Sequence, residues 1–169
     1  MSSAADAGRK ASFAPVADAR TRLLVLGSLP GEQSLAAAQY YANPQNQFWR
    51  LMQAVTGAPL LSLPYGERLE MLLAAGVGLW DVVGSAVRPG SLDTAIRDHQ
   101  PNALPELCER LPALRAVAFN GGASAKLGLK ILAGRRDLAL IPLPSSSPAH
   151  TLRFARKLEA WGPLAAYLD

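Results

Sequence analysis

The sequence predicts a three-layer α/β/α fold around a central, mostly parallel four-stranded sheet. Three observations predict it. Short apolar runs without polar alternation recur along the chain, as strands buried on both faces require. Segments of helical periodicity separate them, the pattern of parallel strands joined by crossover helices. Each run ends in a polar or glycine-rich loop, and in such folds ligands bind beyond the carboxyl ends of the strands.

The first strand is expected over residues 22–27 (RLLVLG), closed by the breaker-rich loop 27–31 (GSLPG). A helix is expected over 44–55. Asn43 is a good N-cap, Pro44 suits the first helical position, and Phe48, Leu51, Met52 and Val55 recur at helical spacing. Gly57 and Pro59 stop it. A second helix is expected over 66–75. Residues 76–83 (GVGLWDVV) read as a strand running into a loop, and 84–97 as irregular or short helix. A helix over 105–111 precedes a strand over 114–119, which Asn120, Gly121 and Gly122 close. A helix over 123–132 leads to the last strand, 138–143. The loop 144–150 (PSSSPAH) follows, then a final helix to Leu168 that Pro163 kinks or interrupts.

The 169 residues suit one domain, read here as 13–169 behind a loose, small-residue tail over 1–12. Half the residues are apolar and 18% are charged, which is globular composition. No apolar run reaches the roughly 18–20 residues of a membrane span, and the amino end lacks a signal-like core, so a cytoplasmic protein is expected. Cys108 is the single cysteine. That excludes an intramolecular disulfide, a Cys-rich zinc site and a cysteine-ligated iron–sulfur cluster. No His and carboxylate cluster suggests another metal site, and no cofactor is expected. A net charge of +4 points weakly to a polyanionic partner, since part of it sits near the ends (Arg9, Lys10, Arg153, Arg156, Lys157).

Four loops are therefore expected to meet at one rim: 27–31, 81–85, 120–122 and 145–150. The first lacks both the dinucleotide and the P-loop fingerprint, though Gly27 still lets backbone approach a ligand beside Ser28 and Leu29. Tyr40 and Tyr41 precede a helix and could stack on a nucleobase, while Asn46 would put an amide in its first turn. Asn43 is explained by capping alone. Phe48 and Trp49 read as core, and Asp81 as a cap or turn residue. Asn120 either reads a base edge or closes a turn. Ser145, Ser146 and Ser147, with Pro148, resemble a helix N-cap, and the same groups could grip a phosphate. His150 is a possible general acid or a structural histidine. The serine-nucleophile signature GxSxG is absent, so no serine hydrolase is expected.

Taken together these motifs resemble the uracil-DNA glycosylase superfamily. Residues 27–31 sit where its first motif sits. Residues 41–49 (YANPQNQFW) look like the segment that follows in its mismatch-specific and thymine-type members. Residues 119–121 are similar to its base-reading strand end, and 144–150 to its second motif, the loop that presses into DNA. The combination is most similar to the hypoxanthine (deoxyinosine) branch and covers roughly 13–168. One departure stands out. Most members carry Asn or Asp in the first motif to position water, and here that place is Leu29, which can do neither. In the hypoxanthine branch an asparagine of the following segment takes the catalytic load. The resemblance maps that role to Asn46, with Asn43 second.

The resemblance implies base flipping followed by hydrolysis of the N-glycosidic bond, leaving an abasic site. Tyr41 would stack on the base, Asn120 would read it, and the 145–150 loop would hold phosphates and wedge the gap. The motifs offer no lysine for a Schiff base, so no strand cleavage is expected. The implied partner is damaged DNA, with no membrane and no metal cluster, and a monomer is expected as the default for a small domain that must wrap DNA. Three alternatives stay open: uracil or xanthine excision, a nucleotide-binding α/β protein, and a non-catalytic DNA-binding module.

Overall fold

The computed structural model describes residues 8–169. Its strands, in chain order, are β1 (Arg9–Ala11), β2 (Leu23–Gly27), β3 (Val77–Asp81), β4 (Val83–Val87), β5 (Arg97–Pro101), β6 (Ala116–Asn120) and β7 (Ala139–Leu143). Its α-helices are α1 (Glu32–Ala37), α2 (Phe48–Thr56), α3 (Tyr65–Ala75), α4 (Leu104–Glu109), α5 (Gly122–Leu132) and α6 (Phe154–Trp161). The central sheet has the order β3-β2-β6-β7 and every pairing in it is parallel.

Successive side chains of a strand point to opposite faces, so an unbroken apolar run needs cover on both. β2 meets this requirement. Leu23 and Val25 join the core beneath α2, α3 and α6, with Phe48, Leu51, Leu72 and Trp161. Leu24 and Leu26 join the opposite core beneath α4 and α5, with Leu104, Leu107, Phe119 and Leu132. Burying each such leucine contributes roughly 1.5–3 kcal/mol. The expected three layers and four-stranded sheet are therefore present.

A second sheet is not foreshadowed by the sequence pattern. β1, β4 and β5 form an antiparallel ribbon, with Arg9 opposite Val87, Lys10 opposite Ala86 and Ala11 opposite Ser85. Residues 9–11 of the expected loose tail are thus strand, and 1–7 lie outside the described residues. Residues 84–97, expected to be irregular or short helix, hold most of β4 and the start of β5. The reason is physical: β5 is exposed along its whole length and β4 lacks apolar alternation, so neither carries a burial signal.

Two helix starts also differ. α2 begins at Phe48 rather than 44. Asn43 Oδ1 accepts from Gln45 N–H at 2.9 Å, and Asn46 Oδ1 from Phe48 N–H at 2.9 Å. Two successive asparagine turns thus occupy the backbone that a longer helix would use. No helix opens at Pro148; α6 starts at Phe154, and Ser145–Ser147 lie in loop. Pro163 behaves as expected: the α-helix ends at Trp161 and continues as a 3₁₀ turn over Gly162–Leu168. Among the described residues no helix is long and apolar enough to cross a membrane.

Candidate active site

Strand register lines up the carboxyl ends of the sheet. Gly27 pairs with Asp81, Leu26 with Phe119, and Asn120 with Leu143. From β2 the chain moves to β3 on one side, and β6 is added on the other. A crevice opens where the order reverses. A cleft of about 710 Å³ fills it, within the size range of small-ligand sites. The loops after β2, β6 and β7 line it. Of the expected 81–85 loop only Asp81 does, as the last residue of β3, because Val83–Val87 form strand β4.

One wall is a hydrogen-bonded set of amides and hydroxyls. Asn120, 6% exposed, accepts from Ser146 N–H through Oδ1 at 2.9 Å. Its Nδ2 donates to Ser146 Oγ at 2.9 Å and to the Tyr41 hydroxyl at 3.3 Å. Ser146 Oγ in turn donates to Asn46 Oδ1 at 2.7 Å. Asn46 Oδ1 therefore accepts twice, from Ser146 and from Phe48 N–H, which settles the orientation of its amide. Its Nδ2 makes no hydrogen bond among the described residues, and Asn46 lines the cleft.

This wall is braced from behind. Gln47 N–H donates to Ser146 O at 3.0 Å, joining the start of α2 to the serine loop. From α6, Trp161 Nε1 donates to Pro144 O at 2.9 Å and buried Lys157 Nζ to Ser147 O at 3.2 Å. Gly121, at φ +96°, lets the chain turn under Ser145, whose Cβ would lie 3.1 Å from an added Cβ. The Tyr41 ring stacks on Phe48 at 3.9 Å between centroids and 18° between planes. Burial pushes its phenol pKa up, so it stays a neutral hydroxyl.

The facing wall carries carboxyl groups. Asp81, 4% exposed, ends β3 beside Gly27. A Cβ on Gly27 would sit 2.6 Å from Asp81 Oδ1 and 3.1 Å from the Tyr41 hydroxyl, so only glycine admits both groups. Ser28 Oγ donates to Asp93 Oδ1 at 2.6 Å. The 27–31 loop is held by buried Arg88, which donates to Leu29 O at 3.2 Å, Pro30 O at 2.5 Å and Gly90 O at 2.8 Å. Leu29 is buried with Val83 and Ala86, so its side chain serves packing.

The structure thus brings Gly27, Ser28, Leu29, Tyr41, Asn43, Asn46, Asn120, Ser145–Ser147 and His150 to one cleft. Asn43 does not cap α2; it closes the turn before it. His150 is exposed at the mouth. Asp81 is neither a cap nor a turn residue, because its carboxyl bonds to no backbone N–H among the described residues. Sequence reasoning missed the 91–94 segment, which supplies Asp93 and the exposed Leu92, and it missed Lys126, exposed on α5 at the mouth. The breaker-rich run from Arg88 to Asp93 (RPGSLD) was the available signal for that segment. Among the described residues no group of three or more His, Cys, Asp or Glu side chains is placed to hold a metal ion.

A parallel sheet with an amide-lined crevice at its switch point, entered by a serine loop, is the architecture expected for the motifs. The family model of the uracil DNA glycosylase superfamily matches residues 14–165, and the chain belongs to that superfamily. Within it, the chain is 43% identical over 118 residues to a hypoxanthine DNA glycosylase of Methanosarcina barkeri, covering 70% of this chain and 75% of that one. It is 38% identical over 151 residues to a hypoxanthine DNA glycosylase of Methanosarcina acetivorans, covering 89% and 94%. The fold is similar to the solution NMR structure of a candidate uracil DNA glycosylase from Methanosarcina acetivorans. That match has a TM-score of 0.85 at 36% identity over 95% of this chain and 98% of the other.

Proposed function

We propose that this protein is a monofunctional DNA-repair glycosylase. It flips out a deaminated base, hypoxanthine foremost, and hydrolyses its N-glycosidic bond to leave an abasic site. Two relatives named hypoxanthine DNA glycosylase, at 38–43% identity, support the substrate. The observation that carries the mechanism is the Asn46 amide, on the cleft wall, with its oxygen held twice and its Nδ2 without a hydrogen bond among the described residues.

Bond cleavage sends an electron pair onto the departing base. Asn46 Nδ2 donates to the base where that charge builds, and Ser146 and Phe48 fix the donor before the substrate arrives. A preorganised donor of this kind is worth about 3 kcal/mol in the transition state. Tyr41, backed by Phe48, offers the base a stacking face. Asn120 acts chiefly as the joint that holds Ser146 and Tyr41, since its own donor and acceptor are engaged. The oxocarbenium-like sugar is then attacked by water. Asn43 shapes the turn that presents Asn46.

Ser145, Ser147, His150 and Lys126 at the mouth take the flanking phosphates. Lys126 is solvated and on the rim, which suits an ion pair with a phosphate. Leu92, 58% exposed on the same rim, is the apolar side chain suited to fill the gap left by the flipped nucleotide. A monomer is the default for a small domain that must wrap DNA, and the buried thiol of Cys108 suits the reducing cytoplasm.

The test is a release assay on matched oligonucleotides carrying inosine, uracil or xanthine, single- and double-stranded. Hypoxanthine release with alkali-labile, unbroken product is expected. Duplex binding without release of any of the three bases would refute the assignment.

A further inference from the structure

Asp81 is the buried polar side chain of the cleft that its neighbours leave unanswered. It lines the cleft, is 4% exposed, and its Oδ2 has no hydrogen-bond partner among the described residues. Its Oδ1 lies over Gly27, facing the region beside the Tyr41 hydroxyl. The groups around it are committed elsewhere. Arg88 gives its guanidinium to three carbonyl oxygens. The Tyr40 hydroxyl donates to Ala14 O, and the Tyr41 hydroxyl, whose oxygen accepts from Asn120, makes no hydrogen bond to Asp81. Asp93 takes the Ser28 hydroxyl. Farther round the cleft, Glu32 pairs with Lys10, and Lys126 and His150 are exposed at the mouth.

A carboxylate left without a donor in such a place is costly, whereas a neutral acid needs only an acceptor. Burial pushes the Asp81 pKa up to about 7, with Asp93 adding to the rise and Arg88 opposing it. No acceptor for its proton is supplied by the described residues, and a flipped base carries several.

Resting on the glycosylase reading, we propose that Asp81 enters catalysis as a neutral acid that donates its O–H to an acceptor on the flipped base, opposite the Asn46 amide. The two donors approach the base from facing walls, and both strengthen as negative charge gathers on it. An ionised Asp81 would repel the same charge. Activity then depends on the protonated form, and the water-positioning role lost at Leu29 is not what Asp81 restores.

The experiment is single-turnover excision of hypoxanthine from pH 5.5 to 9 by the wild type, Asp81→Asn and Asp81→Ala, with folding checked by circular dichroism and thermal melts. The wild-type rate should fall about tenfold per pH unit above the Asp81 pKa. Asp81→Asn keeps a donor at every pH, so it should work within a few-fold of wild type at pH 6 and lose the alkaline fall. Asp81→Ala should be at least tenfold slower at pH 6 and insensitive to pH. Two results overturn the inference alone: an Asp81→Ala variant with the wild-type profile, or a wild-type rate that rises with pH while Asp81→Asn is dead. The second would make Asp81 a base. A folded wild type that releases none of hypoxanthine, uracil or xanthine at any pH sinks the glycosylase reading and this inference with it.

Discussion

The two walls of the cleft solve opposite problems. On the amide wall, Asn46, Ser146, Asn120 and Tyr41 form one connected network, and the interior groups Asn120 and Ser146 have partners. On the carboxyl wall, Asp93 is answered by Ser28, but Asp81 keeps a buried oxygen with no partner among the described residues. Satisfied networks rigidify, and unanswered buried groups cost stability. The contrast teaches where this fold holds geometry and where it leaves a buried group without a partner among the described residues. The amide wall is built to place one donor. The carboxyl wall is built around a buried carboxyl that, on the proposal above, is answered by the flipped base.

The largest effect should come from the donor that the amide wall exists to place. Asn46→Ala is expected to lower the single-turnover excision rate about 100-fold or more, with duplex affinity within about threefold of wild type. Parallel losses in rate and binding, read by gel shift beside the rate assay, would mean that the wall binds DNA rather than drives bond cleavage. Ser146→Ala tests the wall as a network. It removes the hydroxyl that donates to Asn46 Oδ1 and accepts from Asn120, while the backbone bond to Asn120 survives. A loss of about tenfold in rate and about 1 kcal/mol in stability is expected. An unchanged rate would show that Phe48 N–H alone suffices to hold Asn46.

The same contrast explains what can be read from the sequence. β2 and β6 are legible because burial on both faces writes itself as an apolar run. The edge strand β7 is legible because its run is apolar though only partly covered, and their loops are legible because breakers follow the runs. The amide wall follows from those loops, since Asn46, Asn120 and Ser146 sit within a few residues of a strand end or a helix start. Its internal wiring is not legible: the helical pattern puts Asn46 inside a helix, and of the two local asparagine turns that keep it outside, the second shares its Oδ1 with Ser146, 100 residues away. The carboxyl wall is hardest to see. Asp81 reads like any strand-end aspartate until Gly27 and the 91–94 segment close over it. That segment connects β4 and β5 of the antiparallel ribbon, of which β5 is exposed throughout and β4 lacks apolar alternation, so neither leaves a periodic signal.

Stability should separate the walls in the reverse sense. Asp81 has a native pKa near 7 against an ordinary value of 3.8. Between these values the unfolded chain has released the proton that the native chain retains. Native stability should therefore decline as pH rises from about 4 to about 7 and level off above. Asp81→Asn removes this dependence. Its melting temperature should exceed that of wild type by several degrees at pH 8 and match it near pH 4. A variant less stable than wild type at pH 8 would mean that the carboxylate is answered in solution, and the asymmetry between the walls would vanish.

The smallest effect concerns the rims. The amide wall ends in Pro148, Ala149 and His150, which offer little apolar bulk, whereas the carboxyl wall ends in Leu92, 58% exposed. The expectation from the motifs puts the wedge on the serine loop; the exposed leucine favours the opposite rim. A wedge stabilises a gap that exists only when a base leaves a stack between two neighbours. Leu92→Ala should therefore weaken excision from duplex by a few-fold and leave single-stranded substrate nearly unchanged, because single strands have little stacking to replace. The same comparison with His150→Ala separates the rims: taking away a phosphate partner at that position should weaken binding to both substrates alike. A Leu92 variant equally impaired on both substrates would place that side chain against the base or the sugar instead.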